Sequence, residues 1–142
     1  WPPLDATSPE ERQNDFPARA FEQVARERPD SVQAKVGLAA VAVARRDLAA
    51  ADRRLAEAMR VGQSSLDAWM LKGDYAFERG RLEEAEGAYA RAVEIGPDIA
   101  RARLGLARTQ LALGKRTQAD ESLAAVEAVH ALSLIHISEP TR

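Results

Sequence analysis

The chain has 142 residues, is 46% hydrophobic and 30% charged, and carries a formal net charge of −2. That length accommodates one small domain, and so small a net charge sets up no strong field for nucleic acid. With no cysteine, disulfides, thiolate metal sites and a cysteine nucleophile are excluded while the compartment stays open, and no apolar run approaches the roughly 20 residues needed to cross a bilayer as a helix.

The chain opens Trp1-Pro2-Pro3, with neither an initiator methionine nor a signal-peptide pattern. The expectation is therefore a processed chain or a piece of a longer one. Residues 1–16 read as an irregular segment in which Ser8-Pro9-Glu10-Glu11 forms a capping box and opens a short helix. A helix is expected over residues 17–28.

From Val32 the sequence repeats with a period of 34 residues, restarting without a gap at Leu66 and Ala100. The third position holds Ala34, Ala68 and Ala102, and the eighth holds Ala39, Gly73 and Ala107. The twentieth holds Ala51, Ala85 and Ala119, and the twenty-fourth holds Leu55, Tyr89 and Leu123. The twenty-seventh holds Ala58, Ala92 and Val126. Small residues recur where helices must approach and larger ones where a gap must be filled, which interdigitated helix packing requires.

Each unit divides into two helices. The first are expected over 32–45, 66–79 and 100–113, and the second over 48–61, 82–95 and 116–129. Gly80 and Gly114 follow the first helices, where a left-handed residue ends a helix at little steric cost. Arg46 takes that place in the first unit and is expected to be mildly strained. Pro29 and Pro97 stop the preceding helices, and Asp30-Ser31, Ser64-Ser65 and Asp98 stand where the next helix needs a cap from an Asp or Ser. Phe21 and Val24 fall at positions 24 and 27 of the same frame, so residues 17–31 read as the second helix of a partial, degenerate repeat.

Trp69, Gly73, Ala85, Tyr89, Ala92 and Pro97 in the middle unit match the spacing W-x3-G…A-x3-aromatic-x2-A-x4-P. On these residues the chain resembles the tetratricopeptide repeat (TPR) family. Lys72 and Ala76 depart from that pattern where leucine and tyrosine are usual, and Lys35 and Arg103 stand where the outer units would carry tryptophan. The resemblance implies an all-α, right-handed superhelical solenoid of antiparallel helix pairs. Its units are residues 32–65, 66–99 and 100–131, the last truncated. A closed bundle of alanine-rich helices is the competing arrangement, and three in-phase recurrences argue against it.

After Ala131 the frame stops. His130 and Ala131 occupy the positions of a Gly-Pro or Asp-Pro break, and residues 132–142, LSLIHISEPTR, resemble a translated sequencing adaptor. The expectation is a non-native tail following a truncated third repeat, and it is set aside from the functional reading together with His136.

No constellation for chemistry emerges. His130 has no carboxylate or hydroxyl at an informative spacing, and no histidine pair stands at a metal-binding interval. Gly37, Gly73, Gly87 and Gly105 lie inside helices and form no phosphate loop. Glu83-Glu84 opens a helix, where carboxylates complement the macrodipole. Arg45-Arg46 and Arg53-Arg54 read as solvated faces. The expectation is a protein without catalytic residues, metal or cofactor.

The family resemblance places positions 2, 5, 9, 12 and 13 of each first helix on a concave face. Unit one contributes Gln33, Val36, Ala40, Val43 and Ala44. Unit two contributes Asp67, Met70, Asp74, Phe77 and Glu78, and unit three contributes Arg101, Leu104, Arg108, Leu111 and Ala112. Of these, Asp67, Met70, Asp74, Phe77, Arg101, Leu104 and Arg108 are the candidate groove, with Met70 and Phe77 as apolar anchors. The alternative is that Asp74 pairs with Arg108 across neighbouring helices while Phe77 packs internally. The Lys/Asn arrangement with which some TPR proteins clamp a C-terminal carboxylate is absent from positions 5 and 9.

The implied function is a scaffold for an unidentified protein or peptide partner, with no nucleic acid involved. A structural spacer, a self-association segment or an accessory region of a larger enzyme are the alternatives. Residues 69–98 and 102–115 further resemble TPR proteins encoded with exosortase (PEP-CTERM) and exopolysaccharide systems, which implies a bacterial periplasmic or outer-membrane-lipoprotein setting.

Overall fold

The structure, a computed structural model, describes residues 16–138, leaving aside the side chains of Phe16, Ser133 and residues 135–138. The capping box expected at Ser8-Pro9-Glu10-Glu11 lies outside the described residues. Seven helices and no strand are found among the described residues: α1 (Phe16–Glu27), α2 (Val32–Ala44), α3 (Leu48–Val61), α4 (Leu66–Glu78), α5 (Leu82–Ile95), α6 (Ala100–Ala112) and α7 (Arg116–Ser138). The chain divides between Gln63 and Ser64 into two compact units, where length alone pointed to a single domain.

In the first unit α2 packs against both α1 and α3. A helix covered on two sides must be apolar around much of its circumference, and α2 buries Ala34, Gly37, Leu38, Ala39 and Ala42. Gly37 is fixed by its neighbour, because a Cβ there would overlap the Phe21 ring of α1. On the other side α3 contributes buried Ala51, Leu55 and Ala58.

In the second unit α4 packs on α5, α5 on α6 and α6 on α7. Met70, Ala76, Ala85, Tyr89, Ala92 and Ala102 form its buried core, with Trp69, Phe77 and Leu106 packed against them. Alanine lines most of these contacts, and Tyr89 is the largest side chain buried outright. Lys72, in the usual leucine position, sets its ammonium 5.2 Å from the Trp69 ring centroid, a cation–π contact that keeps its stem along the helix surface.

The turns follow from named groups. The hydroxyls of Ser31 and Ser65 and the carboxylate of Asp47 accept from the backbone N–H three residues on, each at 3.2 Å. Asp98 does not cap α6: Ile99 is the flanking residue and offers no side-chain bond. Arg46, Gly80 and Gly114 end α2, α4 and α6 with φ of 57°, 72° and 78°. In each case the next N–H reaches the carbonyl five residues back, Asp47 to Ala42, Arg81 to Ala76 and Lys115 to Gln110, closing a Schellman motif.

The last helix corrects the sequence reading. Expected to stop at residue 129, α7 continues to Ser138. Where α5 ends on Gly96 and Pro97, this helix has His130 and Ala131, neither of which breaks a helix. Leu132 and Leu134 are 67% and 51% exposed on it.

Candidate functional site

The residues that converge in the second unit come from α4, α5 and α6. On α4, Met70, Asp74 and Phe77 follow one another at helical spacing, so they share a face. On α6, Arg101, Leu104 and Arg108 do the same. Met70, Asp74, Arg101, Leu104, Gly105 and Arg108 line a cavity of about 260 Å³, and α5 supplies part of its framework through Tyr89.

The Tyr89 ring is held between two glycines. A Cβ at Gly73 on α4 would lie 2.7 Å from its Cε1, and one at Gly105 on α6 would lie 2.5 Å from the same atom. Both helices therefore approach α5 closely only because they lack a side chain at these points. Trapped there, the ring carries its hydroxyl to the cavity, where it donates to Asp74 Oδ1 and accepts from Arg108 Nη2 at 3.5 Å. Burial, and after it the hydrogen bond and negative charge of Asp74, hold the phenol well above its ordinary pKa, with Arg108 opposing them. The phenol is thus a donor at neutral pH, and it fixes one oxygen of Asp74.

The other oxygen of Asp74 faces Arg101 Nη2 at 3.9 Å, with Arg101 77% exposed, a distance and exposure that give a weak, screened pair. Arg108 lies with its guanidinium carbon 4.0 Å from the centroid of the Phe77 ring. That cation–π contact, with the donation to Tyr89, holds the guanidinium at the cavity. Two arginines against one aspartate leave the cavity wall net positive.

The sequence-derived set is brought together in part. Met70, Asp74, Arg101, Leu104 and Arg108 share the cavity, but Met70 is only 5% exposed and forms its floor rather than a projecting anchor. Phe77 is half-buried against the core and serves as the platform for Arg108. Asp67 is exposed in the first turn of α4 and is not among the lining residues. The expected alternative, Asp74 paired with Arg108, is replaced by Asp74 with Arg101 and by a shared contact of Asp74 and Arg108 with the Tyr89 hydroxyl. In the first unit, Gln33, Val36, Ala40, Val43 and Ala44 do not line the cavity formed there by Glu22, Ala25, Arg26, Leu38 and Arg54. Among the described residues no group of three or more His, Asp or Glu side chains is placed to hold a metal ion, and His130 is exposed on α7.

Tyr89 and Gly105 were missed as site residues because both read as packing. A signal for them does stand in the sequence. Phe21 is followed 16 residues later by Gly37, and Tyr89 at the same interval by Gly105, whereas Leu55 is followed by Leu71. Glycine recurs where the upstream residue is a ring, because the ring needs the room a Cβ would take.

Two family models, both described as tetratricopeptide repeat, match residues 39–100 and 76–136. No curated protein matches the sequence significantly. Among solved structures, the MamA protein is similar with a TM-score of 0.74 at 18% identity, over 89% of this chain and 71% of that one. A thermophilic TPR protein of Thermus thermophilus, TTC0263, is similar with a TM-score of 0.64 at 22% identity, over 77% of this chain and 62% of that one. At these identities the likeness is one of fold.

Proposed function

The chain belongs to the tetratricopeptide repeat family through residues 39–136, a fold of protein-interaction scaffolds, and we propose that it binds a protein or peptide partner on the α4–α6 face without catalysing a reaction. The convergence of Asp74, Tyr89, Arg101, Leu104 and Arg108 around one cavity is the observation that carries this reading. It combines oriented polar groups with exposed apolar surface, the mixture by which recognition sites fix a ligand's orientation. The repeat division at residues 32–65, 66–99 and 100–131, with a partial unit at 17–31, belongs to the same proposal.

The narrower setting, a bacterial envelope or exopolysaccharide system, is supported by the phrasing of residues 69–98 and 102–115. Cell fractionation tests it, and a chiefly cytosolic protein would remove it. The binding role is tested by selecting peptides from a random display library on the chain. Selected peptides should lose binding to the Leu104→Asp and Arg101→Glu variants. Peptides indifferent to both would place recognition elsewhere, and an empty selection would favour a spacer.

A further inference from the structure

We infer that the first unit carries a second docking site, separate from the α4–α6 face, in which the groove between α1 and α3 receives a glutamate side chain of an acidic partner protein. Glu22, Ala25 and Arg26 of α1, Leu38 of α2 and Arg54 of α3 line a cavity of about 260 Å³ there. The groove is bounded on both sides by helices of the first unit and floored by a third, unlike a face that awaits a neighbouring repeat. Its volume lies just below the ~300–1,000 Å³ of sites that enclose a small ligand, so it takes one side chain rather than a whole molecule.

The repeat frame separates what packing requires here from what it does not. Two repeats after Arg26, Leu38 and Arg54 stand Glu94, Leu106 and Ser122. The leucine recurs because the helices need it: Leu38 is buried, and Leu106 packs on the core of the second unit. The arginines do not recur. One repeat on from Arg54 stands Ala88, which is buried, and Ser122 donates to Gln110 between α6 and α7 at 2.8 Å. Packing asks for a small residue at this position. Arg54 is half-buried, with its stem laid along the groove wall and its guanidinium carried toward water.

The charges select the partner. Among the described residues no carboxylate lies within 4 Å of the Arg26 or Arg54 guanidinium, although Glu22 lines the same cavity. Two guanidinia against one carboxylate leave the wall net positive, and each offers the planar fork that a carboxylate matches with two parallel hydrogen bonds. The excess extends beyond the groove. Residues 16–63 hold nine Lys or Arg against six Asp or Glu in a chain of net charge −2, which favours acidic partners over basic ones. Glu22 penalises a phosphate, with its charge of about −1.5 to −2, more than a carboxylate. Leu38 and Ala25 offer apolar surface to the methylenes of a glutamate.

The test is a peptide display selection on the full chain bearing Arg101→Glu and Leu104→Asp, with counter-selection against that chain bearing Arg26→Glu and Arg54→Glu as well. The α4–α6 face is disabled throughout, so the two sites are judged separately. Recovered peptides, labelled and measured by fluorescence anisotropy on the otherwise unmodified chain, should share a glutamate beside an apolar residue. Changing that glutamate to glutamine should weaken binding at least about tenfold. Arg54→Ala should weaken it as much without altering the helical circular dichroism, because alanine is what the second repeat carries there. Arg53→Ala, on the same helix but outside the cavity, should change it far less. Equal binding by the glutamine peptide, or binding indifferent to both Arg26→Gln and Arg54→Ala, would overturn the inference, as would a selection that recovers nothing. Binding that emerges only when Asp5, Glu10, Glu11 and Asp15 are changed to Asn or Gln would overturn it in favour of residues 1–15 of this chain as the occupant. Concentration-dependent association of the chain that Arg54→Ala abolishes would overturn it in favour of a second copy.

Discussion

The Tyr89 hydroxyl donates to Asp74, joining the most buried ring of the second unit to the carboxylate at the mouth of its cavity. Packing and recognition thus meet in one side chain. The ring fills the space left by Gly73 and Gly105, and its hydroxyl sets which way Asp74 faces.

Removing that hydroxyl should separate the two roles. Tyr89→Phe keeps the ring and leaves Asp74 without its donor, at an expected cost of about 1.5–3 kcal/mol for a hydrogen bond to a charged acceptor. Urea unfolding measures it. Loss well below ~0.5 kcal/mol would show that water replaces the phenol fully. Binding of peptides selected on this face should also weaken, because an unheld Asp74 can turn both oxygens to the arginines.

The same phenol gives a pH signature. Its folded-state pKa is raised above the ordinary value, first by burial and then by Asp74. The unfolded phenol titrates near pH ~10. The stability contributed by the neutral buried form is therefore complete below about pH 10 and is lost as pH rises from there toward the folded pKa. Stability measured across the alkaline range should fall more steeply in the wild type than in Tyr89→Phe. Parallel curves would contradict the assignment.

Two glycine substitutions should have opposite signs. Gly105→Ala places a Cβ 2.5 Å from a ring that Gly73 backs on the other side, so the ring has no room to yield. A loss of about 1–3 kcal/mol is expected from overpacking. Gly87→Ala, exposed within α5 with nothing within 4 Å, should gain about 0.5–1 kcal/mol from helix propensity. Thermal unfolding of the two variants side by side checks both.

Arg46 holds φ of 57° where Gly80 and Gly114 hold the equivalent turns. Arg46→Gly should relieve that strain and stabilise the chain by about 0.5–1 kcal/mol, less than the full left-handed penalty because glycine loses more entropy on folding. A decrease in the denaturation midpoint would mean that the arginine side chain compensates for its backbone.

Much of this arrangement was legible because periodicity and turn chemistry agree. Gly80 and Gly114 marked the helix ends, and the same frame identified Arg46 as the strained equivalent from sequence alone. What periodicity could not resolve was direction within a face. Met70 and Phe77 share the stripe with Asp74, yet Met70 turns into the core while Phe77 lies beneath Arg108. Pairing was obscured for a similar reason. Equivalent repeat positions pointed to Asp74 with Arg108, and the Tyr89 hydroxyl stands between those two while Asp74 meets Arg101 instead. The end of α7 was misjudged because loss of the repeat pattern was equated with loss of helix. His130 and Ala131 end the repeat's turn chemistry but not the backbone's preference.

The central claim is that the α4–α6 face is where a partner binds, and amide NMR of the isotope-labelled chain tests it most directly. On addition of a peptide taken from the display selection, the largest shift changes should fall at Asp74, Arg101, Leu104, Gly105 and Arg108, with little change at the exposed α5 residues Arg91 and Glu94. Changes centred on Arg91 and Glu94, with the cavity residues unmoved, would contradict the account.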